Sequence, residues 1–259
     1  MGKRVDLEIR DRVAYLTMNR PDKRNAIDEI AVEEMTDGFS RAENDPGIRA
    51  IVFRGEGTAF SAGADLEYLQ RLSKNTSSAN FEDSCALKDF LFEVYRSRKL
   101  TCAVVRGPAL AGAFGLVLAC DVVIASEKAR FGFTEVKIGF VPAIVLNFAL
   151  RKLRESDVRE LVLTGKIIDA SYALRIGVLS QIVPETDIEV YTNQFLRDFM
   201  AGTSAKAVSL TKEILSEVRE MNLKEALKYS TAMNVAARST DDFRKGIDSF
   251  LKKEKLEWK

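Results

Sequence analysis

The sequence predicts an α/β protein: a β-rich domain of repeating strand–strand–helix units over residues 1–190, followed by a helical region over residues 191–259. Three observations carry this. Short apolar runs of strand length alternate with stretches of helical apolar spacing as far as Pro184. Gly, Pro and Asn clusters punctuate the runs. Beyond Pro184 only helical spacing remains.

The elements follow in order. Val5, Leu7 and Ile9 alternate with polar residues, and residues 13–18 form a second strand after Asp11-Arg12, a hairpin signal. Pro21 ends it, because proline cannot extend a ladder. Ile27, Ile30, Met35, Phe39 and Ala42 recur at helical spacing. A turn at 44–47 leads to a strand over 48–54, and a short helix follows residues 60–65. The polar stretch 74–80 reads as a mobile surface loop, before a helix carrying Leu87, Phe90, Leu91 and Val94. Strands are expected over 101–105 and 122–125. Between them a Gly/Ala-rich run, 107–115, feeds a helix reaching Cys120. Residues 129–133 are extended. Helices follow over 143–164 and 171–176, then a strand over 178–183. Asn222 with Glu225 has capping-box spacing and opens a helix to about Arg238; a last helix starts near Asp241.

Composition narrows the chemistry. The 259 residues are 46% hydrophobic and 30% charged, the profile of a folded globular chain. Lys and Arg number 39 against 38 Asp and Glu, so no bulk charge draws the protein to nucleic acid or anionic membrane. There is no histidine. That excludes Ser-His-Asp triads, Cys-His dyads and His-based metal sites, and leaves acid–base work to Asp, Glu, Lys, Tyr or Cys. Cys85, Cys102 and Cys120 form no CxxC pair, so no metal site is expected. The longest uncharged stretches, 107–120 and 138–150, fall short of the ~20 residues of a membrane helix. Residues 1–10 lack the apolar core of a signal peptide, so a cytoplasmic location is expected.

Three stretches could carry chemistry. In residues 60–65, Phe-Ser-Ala-Gly-Ala-Asp, Gly63 permits a tight turn that leaves peptide N–H groups free at a helix start, where a negative oxygen is stabilised. An ordinary strand-to-helix turn would look the same. In residues 107–115 small side chains let a ligand approach the backbone, or simply pack a helix tightly; neither a Walker A motif nor GxGxxG is present. In residues 131–136, if extended, Phe131, Phe133 and Glu135 share one face. A carboxylate drawn into an apolar face has its pKa raised, the setting of a general base near neutral pH. On a solvated face Glu135 would instead pair with a lysine.

Taken together, in their order and spacing, these stretches resemble the enoyl-CoA hydratase/isomerase (crotonase) superfamily across nearly the whole chain. Residues 19–21 with Arg24-Asn25-Ala26 are similar to its N-terminal signature. Residues 60–66 and 107–121 are similar to its two oxyanion loops, and 131–139, 163–165, 177–183 and 241–250 also match. The resemblance implies a crotonase-like spiral of ββα units with a C-terminal helical region that trimerises, giving a trimer or a dimer of trimers. It implies an acyl-CoA thioester substrate in fatty acid metabolism and no cofactor beyond the coenzyme A of that substrate. The backbone N–H groups of Ala64 and Gly112 would hold the thioester oxygen, with Glu135 as acid–base residue. Ala26, Ala62, Asp65 and Leu66 would lie at the coenzyme A site, Ala62 and Asp65 by the adenine, while Lys23 and Arg24 face the phosphates. The C-terminal helix can reach a neighbouring subunit's ligand. No nucleic-acid or membrane partner is implied.

Two departures bear on mechanism. Hydratases of the family generally carry two glutamates; the second matches Glu135, and the first would sit at 115, where this chain has Gly115. After Pro142, where many relatives are Gly-rich, this chain has Ala143-Ile144-Val145, expected to reshape the acyl pocket. One carboxylate suits double-bond migration better than water addition, and a glutamate installed at 115 is expected to raise hydration. The alternatives are a single-glutamate hydratase, with Tyr68 as the place to look for a second group, or a catalytically silent acyl-CoA binder. The ββα spiral also serves serine peptidases, whose chemistry the missing histidine excludes.

Overall fold

The structure, a computed structural model, describes residues 2–258. Strands β1 (Val5–Arg10) and β2 (Val13–Met18) pair as an antiparallel hairpin, with Arg10 opposite Val13. Asp11 and Arg12 both take positive φ, 48° and 64°, as a two-residue turn compatible with strand twist requires. Helix α1 (Glu29–Asn44) starts where the Asp28 side chain accepts the Ala31 N–H at 2.9 Å. Strand β3 (Ala50–Gly55), helices α2 (Leu66–Leu72) and α3 (Ser77–Tyr95), and strands β4 (Leu100–Val105) and β5 (Pro108–Leu110) follow. Next come α4 (Gly112–Ala119), β6 (Val122–Ser126), β7 (Arg130–Gly132), α5 (Leu146–Lys152), α6 (Glu155–Thr164), β8 (Ile168–Asp169), α7 (Ala170–Arg175) and β9 (Gln181–Val183). Helices α8 (Ile188–Gly202), α9 (Ala205–Glu217), α10 (Leu223–Arg238) and α11 (Asp241–Lys252) complete the described chain, so position 190 falls near the start of α8.

The main sheet has the order β1-β2-β3-β4-β6-β9, parallel from β2 onward. Both faces of β2, β3, β4 and β6 are buried, which is why these strands read as nearly continuous apolar runs, while the edge strand β1 alternates. On one face Ala14, Leu16, Ile51, Phe53, Ala103 and Val105 meet α1, α3 and α4. On the other, Val13, Tyr15, Val52, Cys102 and Ile124 meet Ile188 and Leu196 of α8. Phe39 of α1, Phe53 of β3 and Phe90 of α3 pack with ring centroids 6.1–6.3 Å apart, pinning both helices to the sheet. Burying each ring contributes roughly 1.5–3 kcal/mol.

A second, three-stranded sheet, β5-β7-β8, was not legible in the sequence, because each strand is only two or three residues long. It positions the site. Other differences have local causes. Residues 77–80 are not loop but the first turn of α3, capped by the Thr76 hydroxyl accepting the Ala79 N–H at 3.3 Å. The stretch 143–164 is two helices broken at Leu153-Arg154. The strand near 178–183 shortens to β9, because Gly177 (φ 88°) and Val178 close a turn on α7.

The C-terminal helices are tied to the core by charge. Lys212 of α9 is buried and pairs with Asp121, which also accepts the Thr101 N–H (2.8 Å) and hydroxyl (2.9 Å). Arg49 donates to the Thr203 carbonyl at 2.6 Å. No helix among the described residues is long and apolar enough to cross a membrane.

Candidate active site

Two backbone loops meet at the site. In the first, residues 24–27 run alongside 62–65: Ala62 N–H donates to the Arg24 carbonyl (2.9 Å) and Asp65 N–H to that of Ile27 (2.8 Å). Gly63 N–H donates to the Ser61 hydroxyl oxygen (3.1 Å). The alternation leaves Ala64 N–H without an acceptor among the described residues. In the second loop, Leu110 N–H donates to the Ser61 carbonyl (3.1 Å) and Ala111 N–H to that of Gly132 (2.9 Å). Gly112 opens α4, so its N–H has no intrahelical partner and no other acceptor among the described residues. A Cβ on Gly112 would meet nothing within 4 Å. The positive end of the α4 dipole lies at this N–H.

The loops hold each other at a cost. Ala111 sits at φ 51°, ψ −125°, a conformation that costs a non-glycine residue roughly 1–3 kcal/mol. Gly63, at φ 93°, approaches so closely that a Cβ there would lie 2.9 Å from both the Ala111 Cβ and the Leu110 carbonyl oxygen. Ser61, fully buried and bridged to Ala109, links the two loops, so the two free N–H groups form one rigid unit.

Glu135 enters from the small sheet. Leu110 of β5 pairs with Gly132 of β7, which brings the start of α4 beside the segment leading to Glu135. The strand ends at Gly132. Glu135 opens a short 3-10 turn, Glu135–Ile138, so it does not share an extended face with Phe131 and Phe133 as the period-two pattern predicts. The apolar setting is present all the same. Phe131 and Phe133 are fully buried, with ring centroids 5.5 and 4.7 Å from that of Phe114 on α4. Glu135 is 7% exposed, and its Oε2 is buried without a hydrogen-bond partner. Burial pushes its pKa above the ordinary glutamate value; a backbone hydrogen bond offsets part of the rise. No lysine or arginine pairs with it among the described residues.

The remaining residues fall into place around this core. Asp65 uses Oδ1 to cap α2, accepting from Glu67 N–H (2.9 Å) and Tyr68 N–H (3.3 Å), and Oδ2 to bind Arg20 at 3.1 Å. Arg20, whose part in the site sequence reasoning missed, also binds Asp28 and the Ala26 carbonyl, each at 2.9 Å, so it ties the first loop to α1. Lys23 is exposed and paired with Glu67 at 3.0 Å; Arg24 is exposed on the same turn. Ala26 and Ala62 are half-buried between that turn and the free N–H of Ala64, and Leu66 is exposed at the start of α2. Tyr68 is half-buried on α2, its ring facing Arg71 at 5.4 Å. A groove of about 1180 Å³ between α1, α3 and α9 is lined by none of the site residues. No group of His, Cys, Asp and Glu able to hold a metal occurs among the described residues.

Position 115 corrects one expectation. A Cβ on Gly115 would lie 2.1 Å from Cγ1 of Val145 and 2.6 Å from its Cβ. Val145 caps α5 and is 3% exposed. A glutamate installed at 115 therefore has no room, and by itself would not add a working carboxylate. The two departures seen in the sequence are one packing event.

A sequence profile of the enoyl-CoA hydratase/isomerase family matches residues 8–259. The chain belongs to this family. A relative from Thermus thermophilus, provisionally named an enoyl-CoA hydratase, is 36% identical over 241 residues, covering 93% of this chain and 95% of its own. The mitochondrial enoyl-CoA hydratase of Pongo abelii is 31% identical, covering 95% and 83%. The crystal structure of an enoyl-CoA hydratase/isomerase from Marinobacter aquaeolei superposes with a TM-score of 0.92 at 28% identity, covering 99% of each chain. The fold is thus the crotonase-like one, and the protein is an enzyme of the enoyl-CoA hydratase/isomerase family.

Proposed function

We propose that this family member moves the double bond of an enoyl-CoA through a thioester enolate, with Glu135 as its single acid–base group. The observation that carries the reading is the buried, unpartnered Oε2 of Glu135, on a segment that the β5–β7 pairing brings next to the start of α4, together with two unengaged backbone N–H groups. Glu135, ionised, takes a proton from C2 of a 3-enoyl thioester. The electron pair moves onto the thioester oxygen, which accepts hydrogen bonds from Ala64 and Gly112 where the negative charge develops. Glu135, now protonated, returns the proton at C4 as the dienolate collapses to the 2-enoyl thioester. No water enters the balance, and the raised pKa makes the carboxylate both a competent base and a competent acid. Lys23 and Arg24 supply positive charge for the coenzyme A phosphates, and the subunits assemble as trimers.

A second reading, water addition by the same glutamate, is favoured by the names of the relatives, which are predominantly those of hydratases. Incubation of the unmodified enzyme with crotonyl-CoA and, separately, with a 3-enoyl-CoA decides between them. Conversion of the 3-enoyl to the 2-enoyl thioester with little 3-hydroxyacyl product supports isomerisation. Rapid hydration of crotonyl-CoA with no such conversion overturns it.

A further inference from the structure

Position 115 lies one helical turn beyond Gly112, on the same face of α4 as the N–H donor. That place is filled from outside the helix. The Val145 side chain occupies the volume a Cβ at 115 would need, and Val145 is fixed there because its carbonyl accepts the N–H groups of Phe148 and Ala149, both at 3.2 Å. Phe148 is in turn buried against Tyr95, with ring centroids 5.8 Å apart.

We infer that Val145 is the residue that sets reaction specificity, by closing the second polar position of the site with a methyl group and so denying an attacking water its support. A water in a protein cavity is held by two to four polar partners. The site side chain free to hold a water is Glu135, and at position 115, one turn along α4 from Gly112, Val145 presents a methyl group instead. A water with one partner is neither oriented nor retained against an apolar acyl chain. A substrate proton, by contrast, needs the one carboxylate only. The inference rests on Glu135 being the acid–base residue, and it adds that the reaction was narrowed by packing in a loop distant in the chain rather than by loss of a carboxylate alone.

The test is a set of variants assayed in the same preparations for crotonyl-CoA hydration and 3-enoyl-CoA isomerisation, with thermal unfolding as the check on folding. Gly115→Glu alone should clash with Val145, lower stability and gain no hydration. Val145→Gly with Gly115→Glu should restore folding and raise the ratio of hydration to isomerisation by ~10²-fold, the low end of what a placed acid–base group contributes. Val145→Thr, nearly isosteric, brings a hydroxyl to the same place and should raise the ratio in the same direction without a new carboxylate. The inference is overturned if folded Gly115→Glu hydrates as well as the double variant. It is equally overturned if a folded double variant, or folded Val145→Thr should the double variant not fold, keeps the parent ratio. Failure of the isomerase reading shows up separately, as rapid hydration by the unmodified enzyme; the comparison of Gly115→Glu with and without Val145→Gly still reads the role of Val145.

Discussion

Replacing Gly112 by proline removes one hydrogen-bond donor from the site with little else changed. The position is the first of α4, where no intrahelical bond is lost and proline's fixed φ suits the helix. Nothing lies within 4 Å of a Cβ there, so the ring finds space. The added constraint falls on Ala111, already at φ 51°, because a residue before proline is sterically restricted. What remains is the loss of one of two donors to the developing enolate oxygen, about 2.7–4 kcal/mol, or 10²–10³-fold in kcat. Because the charge develops in the transition state, kcat should carry the loss more than KM. Gly112→Ala is the partner variant: it keeps the N–H and adds a Cβ to the same space. Steady-state kinetics on both proteins, each shown folded by circular dichroism, give the answer. If Gly112→Pro turns over within threefold of the unmodified enzyme, or if Gly112→Ala loses as much as Gly112→Pro, the N–H of Gly112 is not the oxyanion donor.

Three further outcomes are expected. Glu135→Gln should lower the rate by at least ~10²-fold, while the unmodified enzyme's rate should fall on acidification at a pH above the ordinary glutamate range. The sign for stability is opposite: a folded-state pKa raised above the unfolded value makes ionised Glu135 a burden at neutral pH. Denaturant unfolding should therefore find Glu135→Gln more stable than the parent at pH 7, the gap narrowing as pH falls through the raised folded-state value and gone below the unfolded glutamate value; a less stable variant at pH 7 would contradict the buried, unpaired carboxylate. Lys212→Ala should cost about 1.5–3 kcal/mol, the range for a hydrogen bond to a charged group, because Lys212 is buried while Asp121 reaches solvent and keeps both bonds from Thr101. Differential scanning calorimetry should show a midpoint lowered by about 3–12 °C, and an unchanged midpoint would mean that the pair does not tether α9. In the isolated chain Phe250 and Leu251 of α11 are 81% and 73% exposed, an apolar face suited to a neighbouring subunit. Light scattering should find a trimer or hexamer, and a stable monomer at micromolar concentration would refute the assembly.

Much of this fold was legible because the strands of the main sheet carry apolar residues on both faces and the helices carry them on one. The hairpin turn and the Asn222 cap of α10 could be placed because each rests on chemistry within a few residues; Asn222 accepts the Glu225 N–H at 3.1 Å. The second sheet could not, since its strands are too short for a period to show. The polar stretch 74–80 misled for a related reason. Its Ser and Asn content suits a loop, yet Thr76 supplies a cap, and packing of Phe90, Leu91 and Val94 carries the helix back to Ser77.

The site divides along the same line. The free N–H groups were foreseeable, because a glycine at a strand-to-helix turn creates them within one loop, and Phe131 and Phe133 foretold a dry setting for Glu135 even though the strand stops short of it. The meaning of Gly115 was not. A missing side chain shows in the sequence as an absence, and an absence is consistent with an open hole, a water site or a filled one. These differ in mechanism: an open hole admits an engineered glutamate, a polar one holds the attacking water, and a filled one forbids both. Only the packing distinguishes them, and it does so through Val145, part of an apolar run whose contact with α4 no local pattern reveals. Because Val145 stands where a Cβ at 115 would have to be, any change at 115 must be judged together with position 145.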